Sequence, residues 1–181
     1  MRALSRRSFI SACAVGAPVG ALVALPRPAR AADAAPRVLR FDHLQTGERL
    51  SVEYFSAGAY VPDALAAVDR LLRDFRTDAV GHIDPGLLDL LHRLTLRTAT
   101  GRPFEIISGY RSPATNAMLH ERSAGVATRS LHMSGQAIDI RLGDVPLAAL
   151  RDASLALHGG GVGYYPKSDF VHVDTGRVRA W

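Results

Sequence analysis

The chain has 181 residues, a length that suits one domain. Its formal charge of +5 is unevenly placed: Arg2, Arg6, Arg7, Arg27 and Arg30 fall in the first 31 residues, which hold no acid, and the remainder carries 17 basic and 17 acidic residues. That neutrality argues against a nucleic-acid or anionic-lipid partner, and because the one cysteine, Cys13, lies in the same leading segment, the remainder has no disulfide, thiol nucleophile or cysteine metal ligand.

The N-terminus has the order of an export signal. Ser5-Arg6-Arg7-Ser8-Phe9-Ile10 is a paired-arginine start, a weakly apolar run rich in Ala, Val and Gly extends to Leu25, and Ala29-Arg30-Ala31 is a small-x-small cleavage site. The run contains Pro18 and falls short of the roughly 18–20 apolar residues that span a bilayer. The expectation is a twin-arginine signal over residues 1–31, a short linker over 32–37 and one domain over 38–181. That domain is expected in the periplasm, as a monomer with no stable membrane insertion once the signal is removed.

Val38–Phe41 and Leu50–Phe55 are β-favouring, with the turn-like Thr46-Gly47-Glu48 between them, so a hairpin is predicted. From Pro62, apolar residues recur at helical spacing through Leu65, Val68, Leu71, Leu72 and Phe75. A second helix begins at Asp84-Pro85, a cap followed by proline at the first helical position, with Leu87, Leu88, Leu91 and Leu94 on its buried side. Phe104–Ser108 reads as a strand, Pro113 to about Ser123 as a helix, Gln136–Leu142 as a strand and Pro146–Leu157 as a helix stopped by Gly159-Gly160-Gly161. Two strands follow, near Gly161–Tyr165 and Phe170–Asp174. Helices early and strands late predict an α+β fold with a small, mostly antiparallel sheet and helices packed on it.

Three segments concentrate the chemistry: Ser108-Gly109-Tyr110-Arg111-Ser112, Ser130–Ile140 and Asp169–Asp174. Side chains alternate along a strand. Ile138 and Ile140 therefore share one face and Asp139 takes the other, while Val171 and Val173 oppose His172 and Asp174. Each strand buries an aliphatic face and presents His or Asp where a solvated sheet would carry Lys, Glu or Thr. If the two strands are neighbours, Asp139 and His172 converge, and His132 reaches over from the preceding loop with Gly135 allowing the turn. Three such ligands leave a fourth position for water, the pattern of a catalytic zinc site. Such a cation acidifies water and polarises a carbonyl.

A general base is still needed. Asp169 is the candidate, provided it lies in the turn entering the last strand, since alternation would put it opposite His172. Arg111 is placed at the rim, to hold a carbonyl, a carboxylate or developing negative charge. Asp174 either orients His172 from behind or faces solvent. Ser130 is read as bonding the loop that holds His132.

Ser-x-His-x-x-Gly-x-Ala-x-Asp-Ile at 130–140, a carboxylate-x-x-His-x-Asp at 169–174 and Ser-Gly-Tyr-Arg-Ser at 108–112 resemble the D-alanyl-D-alanine metallopeptidase family. The closer resemblance is to its YcbK-like peptidoglycan endopeptidase branch, within a group that includes lysostaphin-type enzymes and the hedgehog signalling domain. The resemblance implies a hedgehog/D-Ala-D-Ala-peptidase-like fold, Zn2+ on His132, Asp139 and His172, Asp169 as catalytic carboxylate, and Arg111 as the substrate or transition-state arginine. The substrate it implies is the stem peptides of cross-linked peptidoglycan. Many members of the wider family have Glu where this chain has Asp169. The alternatives are a D-alanyl-D-alanine carboxypeptidase, a non-catalytic zinc-containing module that binds peptidoglycan, and a periplasmic protein that uses the groove only to recruit other wall enzymes, with a tight partner and no metal.

Overall fold

The computed structural model describes residues 35–122 and 127–181. The expected signal, and residues 32–34 of the expected linker, lie outside the described residues. Among the described residues no helix is long and apolar enough to cross a membrane.

The elements run β1 (Arg37–His43), β2 (Arg49–Ser56), β3 (Ala59–Tyr60), α1 (Pro62–Leu71), α2 (Pro85–Thr98), β4 (Phe104–Ser108) and α3 (Pro113–Arg122). A single 3-10 turn (Leu131–Ser134) follows, then β5 (Ala137–Leu142), α4 (Leu147–Ala156), β6 (Gly161–Tyr165), β7 (Phe170–Asp174) and β8 (Arg179–Ala180). The strands form one sheet in the order β3-β2-β1-β4-β5-β7-β6-β8. It is mostly antiparallel, as the sequence predicts, with two parallel pairs, β1 with β4 and β6 with β8. The first parallel pair requires a crossover, which α1 and α2 supply, since parallel neighbours cannot be joined by a tight turn.

Local chemistry explains the helix starts. Pro62 and Pro85 occupy first-turn positions where no amide partner is needed. The Asp84 carboxylate accepts a hydrogen bond from the Gly86 amide at 2.8 Å and caps α2. Leu87, Leu88, Leu91 and Leu94 of α2 are fully buried, beside Val68 and Leu72 from the first helical region. They pack against Phe41, Phe104, Ile106, Ile138, Ile140, Val171 and Val173 of the central strands.

The helices α1, α2 and α4 thus share one face of the sheet, and strand alternation does the sorting. The aliphatic residues of β5 and β7 meet the helices, so Asp139, His172 and Asp174 necessarily occupy the opposite face.

Candidate metal centre and catalytic cavity

β5 and β7 are adjacent and antiparallel, with Asp139 directly opposite His172. The third residue, His132, comes from the 3-10 turn before β5. Ser130 begins that turn by accepting the His132 amide, and Gly135 ends it with φ of 66°. A side chain at Gly135 would meet the His82 carbonyl, so this left-handed position has neither the conformational freedom nor the space for one.

His132, Asp139 and His172 are buried and form a group that could hold a metal ion. His132 Nε2 is 3.2 Å from His172 Nδ1 and 3.3 Å from Asp139 Oδ1, and His172 Nδ1 is 2.8 Å from the same oxygen. Tetrahedral coordination with bonds of about 2.0–2.2 Å needs donor atoms about 3.3 Å apart. The observed triangle is close to that size.

The outer nitrogens determine the tautomers. His132 Nδ1 lies 2.8 Å from the Gly109 carbonyl oxygen, which can only accept, so Nδ1 carries the proton and Nε2 offers its lone pair to the cluster. His172 Nε2 donates to Asp174 Oδ2 at 3.1 Å, leaving Nδ1 as the inward donor atom. Both histidines thus have the backing acceptor that orients a ligating imidazole.

Asp174 is fully buried and does not face solvent. Its carboxylate accepts the Gly161 and Gly176 amides at 2.9 and 2.8 Å and both terminal nitrogens of Arg179 at 3.0 and 2.7 Å. Burial alone would raise its pKa, but the hydrogen bonds from His172, Arg179 and the amides outweigh burial and hold it below the usual carboxylate range. Asp139 behaves likewise: burial pushes it up, and the two histidines bring it down further. Burial lowers His172, but Asp139 and Asp174 override it and raise the metal-free imidazole to about 9.

His132, Asp139 and His172 line a cavity of about 500 Å³. Arg111 enters its wall with one terminal nitrogen 3.7 Å from Asp139 Oδ2. Burial lowers the Arg111 pKa while Asp139 opposes that shift, and among the described residues its buried Nε has no hydrogen-bond partner. A guanidinium in the wall with a terminal nitrogen beside the cluster suits an incoming carbonyl or carboxylate oxygen.

The opposite wall is aromatic. Tyr165 stacks on Phe170 with centroids 4.5 Å apart, and Trp181 donates from Nε1 to the Tyr165 hydroxyl at 2.7 Å. The Trp181 ring lies 5.3 Å from that of His172. Gly163 leaves the room it needs, since a Cβ there would come within 2.7 Å of the indole.

Of the five residues the sequence singles out, four converge and Asp169 does not. Asp169 lies in the turn before β7, as its assigned role requires, but with φ of 54° and a side chain 62% exposed. Its Oδ2 accepts from Arg141 at 2.6 Å, and Arg141 also holds Glu105 at 2.6 Å on the neighbouring strand. The left-handed turn directs the carboxylate to a separate surface groove shared with Glu105 and Arg141. Among the described residues lining the central cavity, Asp139 is the only carboxylate.

The sequence reading missed the Gly109 carbonyl and the Trp181 wall. It left Asp174 open, although i, i+2 spacing from His172 on one strand was the available signal.

Comparison with known proteins extends these observations. Residues 31–181 match the family model Peptidase_M15_2, described as peptidoglycan L,D-endopeptidase MepK. The chain is 44% identical over 168 residues to the peptidoglycan L,D-endopeptidase MepK of Escherichia coli strain K12, covering 92% of each chain. It is 47% identical over 150 residues to a relative from Haemophilus influenzae, covering 81% of this chain and 79% of that one. A solved structure, the L-Ala D-Glu endopeptidase ChiX of Serratia marcescens, aligns at 21% identity with a TM-score of 0.34, over 42% of this chain and 62% of that one.

Proposed function

Since the chain belongs to the Peptidase_M15_2 family and is a peptidase, we propose that it is a zinc-dependent murein endopeptidase that cleaves peptide cross-links between peptidoglycan stems. The observation that carries this reading is the buried triangle of His132 Nε2, Asp139 Oδ1 and His172 Nδ1 opening on the cavity, with the outer nitrogen of each histidine already tied to an acceptor. Two neutral imidazoles and one carboxylate form a donor set suited to zinc. A cation held there supplies acidification of water and polarisation of a peptide carbonyl.

The remaining work falls to the chain. Gly109 and Asp174 keep the imidazoles oriented. Arg111 offers its terminal guanidinium nitrogens to the substrate oxygen on which charge develops. Among the described residues Arg111, Arg129 and Arg179 line the cavity, Arg179 being paired with Asp174 behind it, and the cationic wall favours the free carboxylates of stem peptides. The Asp169 carboxylate is engaged by Arg141 outside the cavity, so a role as general base would require it to leave that exposed ion pair. The leading segment supports twin-arginine export, with the 38–181 domain acting as a monomer in the periplasm.

A digest of purified cross-linked muropeptides by the zinc-loaded exported chain, read by mass spectrometry, tests the reading. Loss of dimers with new monomers is expected. Loss of a terminal residue alone would make the enzyme a carboxypeptidase. No cleavage with zinc bound would leave only peptidoglycan binding.

A further inference from the structure

Asp74 is a buried carboxylate to which the chemistry above assigns nothing. It is 1% exposed and, among the described residues, makes no salt bridge within 4 Å, although its charge acts on Arg111 at longer range. Burial raises its pKa, but hydrogen bonds from the Ser112 and Thr115 side chains and from the Ser112 and Arg76 amides reverse that and bring it to about 2. It is itself rigidly set: its amide donates to the Ala79 carbonyl at 2.9 Å, and its carbonyl accepts the Thr77 and Asp78 amides at 3.2 and 2.8 Å.

Its Oδ2 accepts the Ser112 amide at 2.9 Å and its Oδ1 the Arg76 amide at 3.0 Å. Ser112 is the third of three consecutive amides, each fixed by a different acceptor. Tyr110 donates to the Leu72 carbonyl at 2.7 Å and Arg111 to the His132 carbonyl at 3.1 Å. Gly109 lies so close to Leu72 that a Cβ there would be 2.6 Å from the Leu72 carbonyl oxygen. This strap carries both the carbonyl that orients His132 and the arginine that lines the cavity. Of its three acceptors, only Asp74 is a side chain.

We propose that Asp74 is a positioning residue for Arg111, fixing the Gly109–Ser112 strap so that the guanidinium stands beside Asp139. The inference rests on the peptidase reading of the cavity. A competing role is merely structural: Ser112 also accepts the Thr115 amide at 3.2 Å at the start of α3, so Asp74 could serve only to seat that helix.

A double-mutant cycle and a hydrogen-exchange measurement separate the two roles. With wild-type zinc content, Asp74→Asn is expected to lower kcat/KM on cross-linked muropeptides about tenfold to hundredfold, the scale of a displaced positioning group. In an Arg111→Ala background the same change should cost no more than about twofold. An equal loss in both backgrounds overturns the proposal while leaving the peptidase reading intact.

Independently of activity, amide exchange at residues 110–112 should accelerate in Asp74→Asn while β4 and β5 keep their protection. Unchanged exchange at 110–112 overturns the proposal. If the zinc-loaded wild type cleaves nothing, the peptidase reading fails, and the exchange result alone decides whether Asp74 positions the strap. Should Asp74→Asn not fold, Asp74→Glu, which keeps the charge but moves the acceptor by one methylene, is read by the same two measurements.

Discussion

Each histidine of the cluster commits one ring nitrogen to an acceptor, and the two acceptors differ in kind. His132 is held by a backbone carbonyl, which no substitution removes, and His172 by the side chain of Asp174. Asp174→Asn is therefore expected to weaken metal binding by about 10–100-fold, the usual effect of losing an outer-shell partner. Competition against a chromophoric chelator would measure it. Asp169→Ala should retain both zinc and most of the muropeptide activity, since its carboxylate is held by Arg141. A loss of kcat of several orders of magnitude with zinc still bound would restore Asp169 as the base.

His43 allows a prediction at the same scale. It is buried, accepts the Gln45 amide on Nδ1 at 3.2 Å and, among the described residues, has no partner on Nε2. Burial lowers its pKa, the Glu48 charge opposes that shift, and the Arg73 charge adds to it. A histidine lowered on folding keeps its stability contribution above its unfolded pKa and loses it as pH falls below about 6.5. Between pH 7 and pH 5 the urea midpoint should change less favourably in the wild type than in His43→Leu. Equal slopes in the two proteins would exclude His43 as a source.

At the level of elements, the readable parts were those with a local period. β5 and β7 were legible because alternation of Ile and Val with Asp and His fixes which face each side chain takes, and a one-residue slip would bury the charges. Alternation also gave the pairing of Asp139 with His172 once the strands were assumed to be neighbours. It could not show that Arg141, two residues beyond Asp139 on the same face, competes for Asp169 across the strands. The parallel contact of β1 with β4 has no local signature, because it depends on two intervening helices. The two-residue β8 was too short to carry a pattern. Asp74 was passed over because Arg73-Asp74-Phe75-Arg76 reads as the polar end of a helix, and the strap residue it holds, Ser112, is 38 residues away.

The 3-10 turn before β5 carries the sharpest consequence at this level. Gly135→Ala adds a left-handed strain to a collision with the His82 carbonyl. A loss of at least about 1 kcal/mol of unfolding free energy is expected, by denaturation, together with weaker zinc binding as the turn carrying His132 shifts.

For the whole molecule, the sheet divides labour between its faces. The apolar face carries the helices and the core, and the metal-binding group stands on the other. The fold should therefore not require the metal. Chelation is expected to lower the melting temperature while leaving the far-ultraviolet circular dichroism unchanged at 25 °C. Zinc at about a hundredfold over its dissociation constant should add about 2.7 kcal/mol. Collapse of the dichroism on adding chelator at 25 °C would show instead that the metal is part of the core.

The chain has one tryptophan, and it packs on His172. The protein therefore carries its own optical probe at the centre of its chemistry. Indole emission, excited selectively at the red edge of its absorption, comes from one place only, 5.3 Å from the His172 ring, which Asp139 and Asp174 bias towards its cationic form and a bound metal would bias towards the neutral one. A cationic imidazole quenches indole by accepting an electron from its excited state, and a coordinated neutral one does so less. Stopped-flow fluorescence can thus follow loading, chelation and substrate arrival in the unlabelled protein.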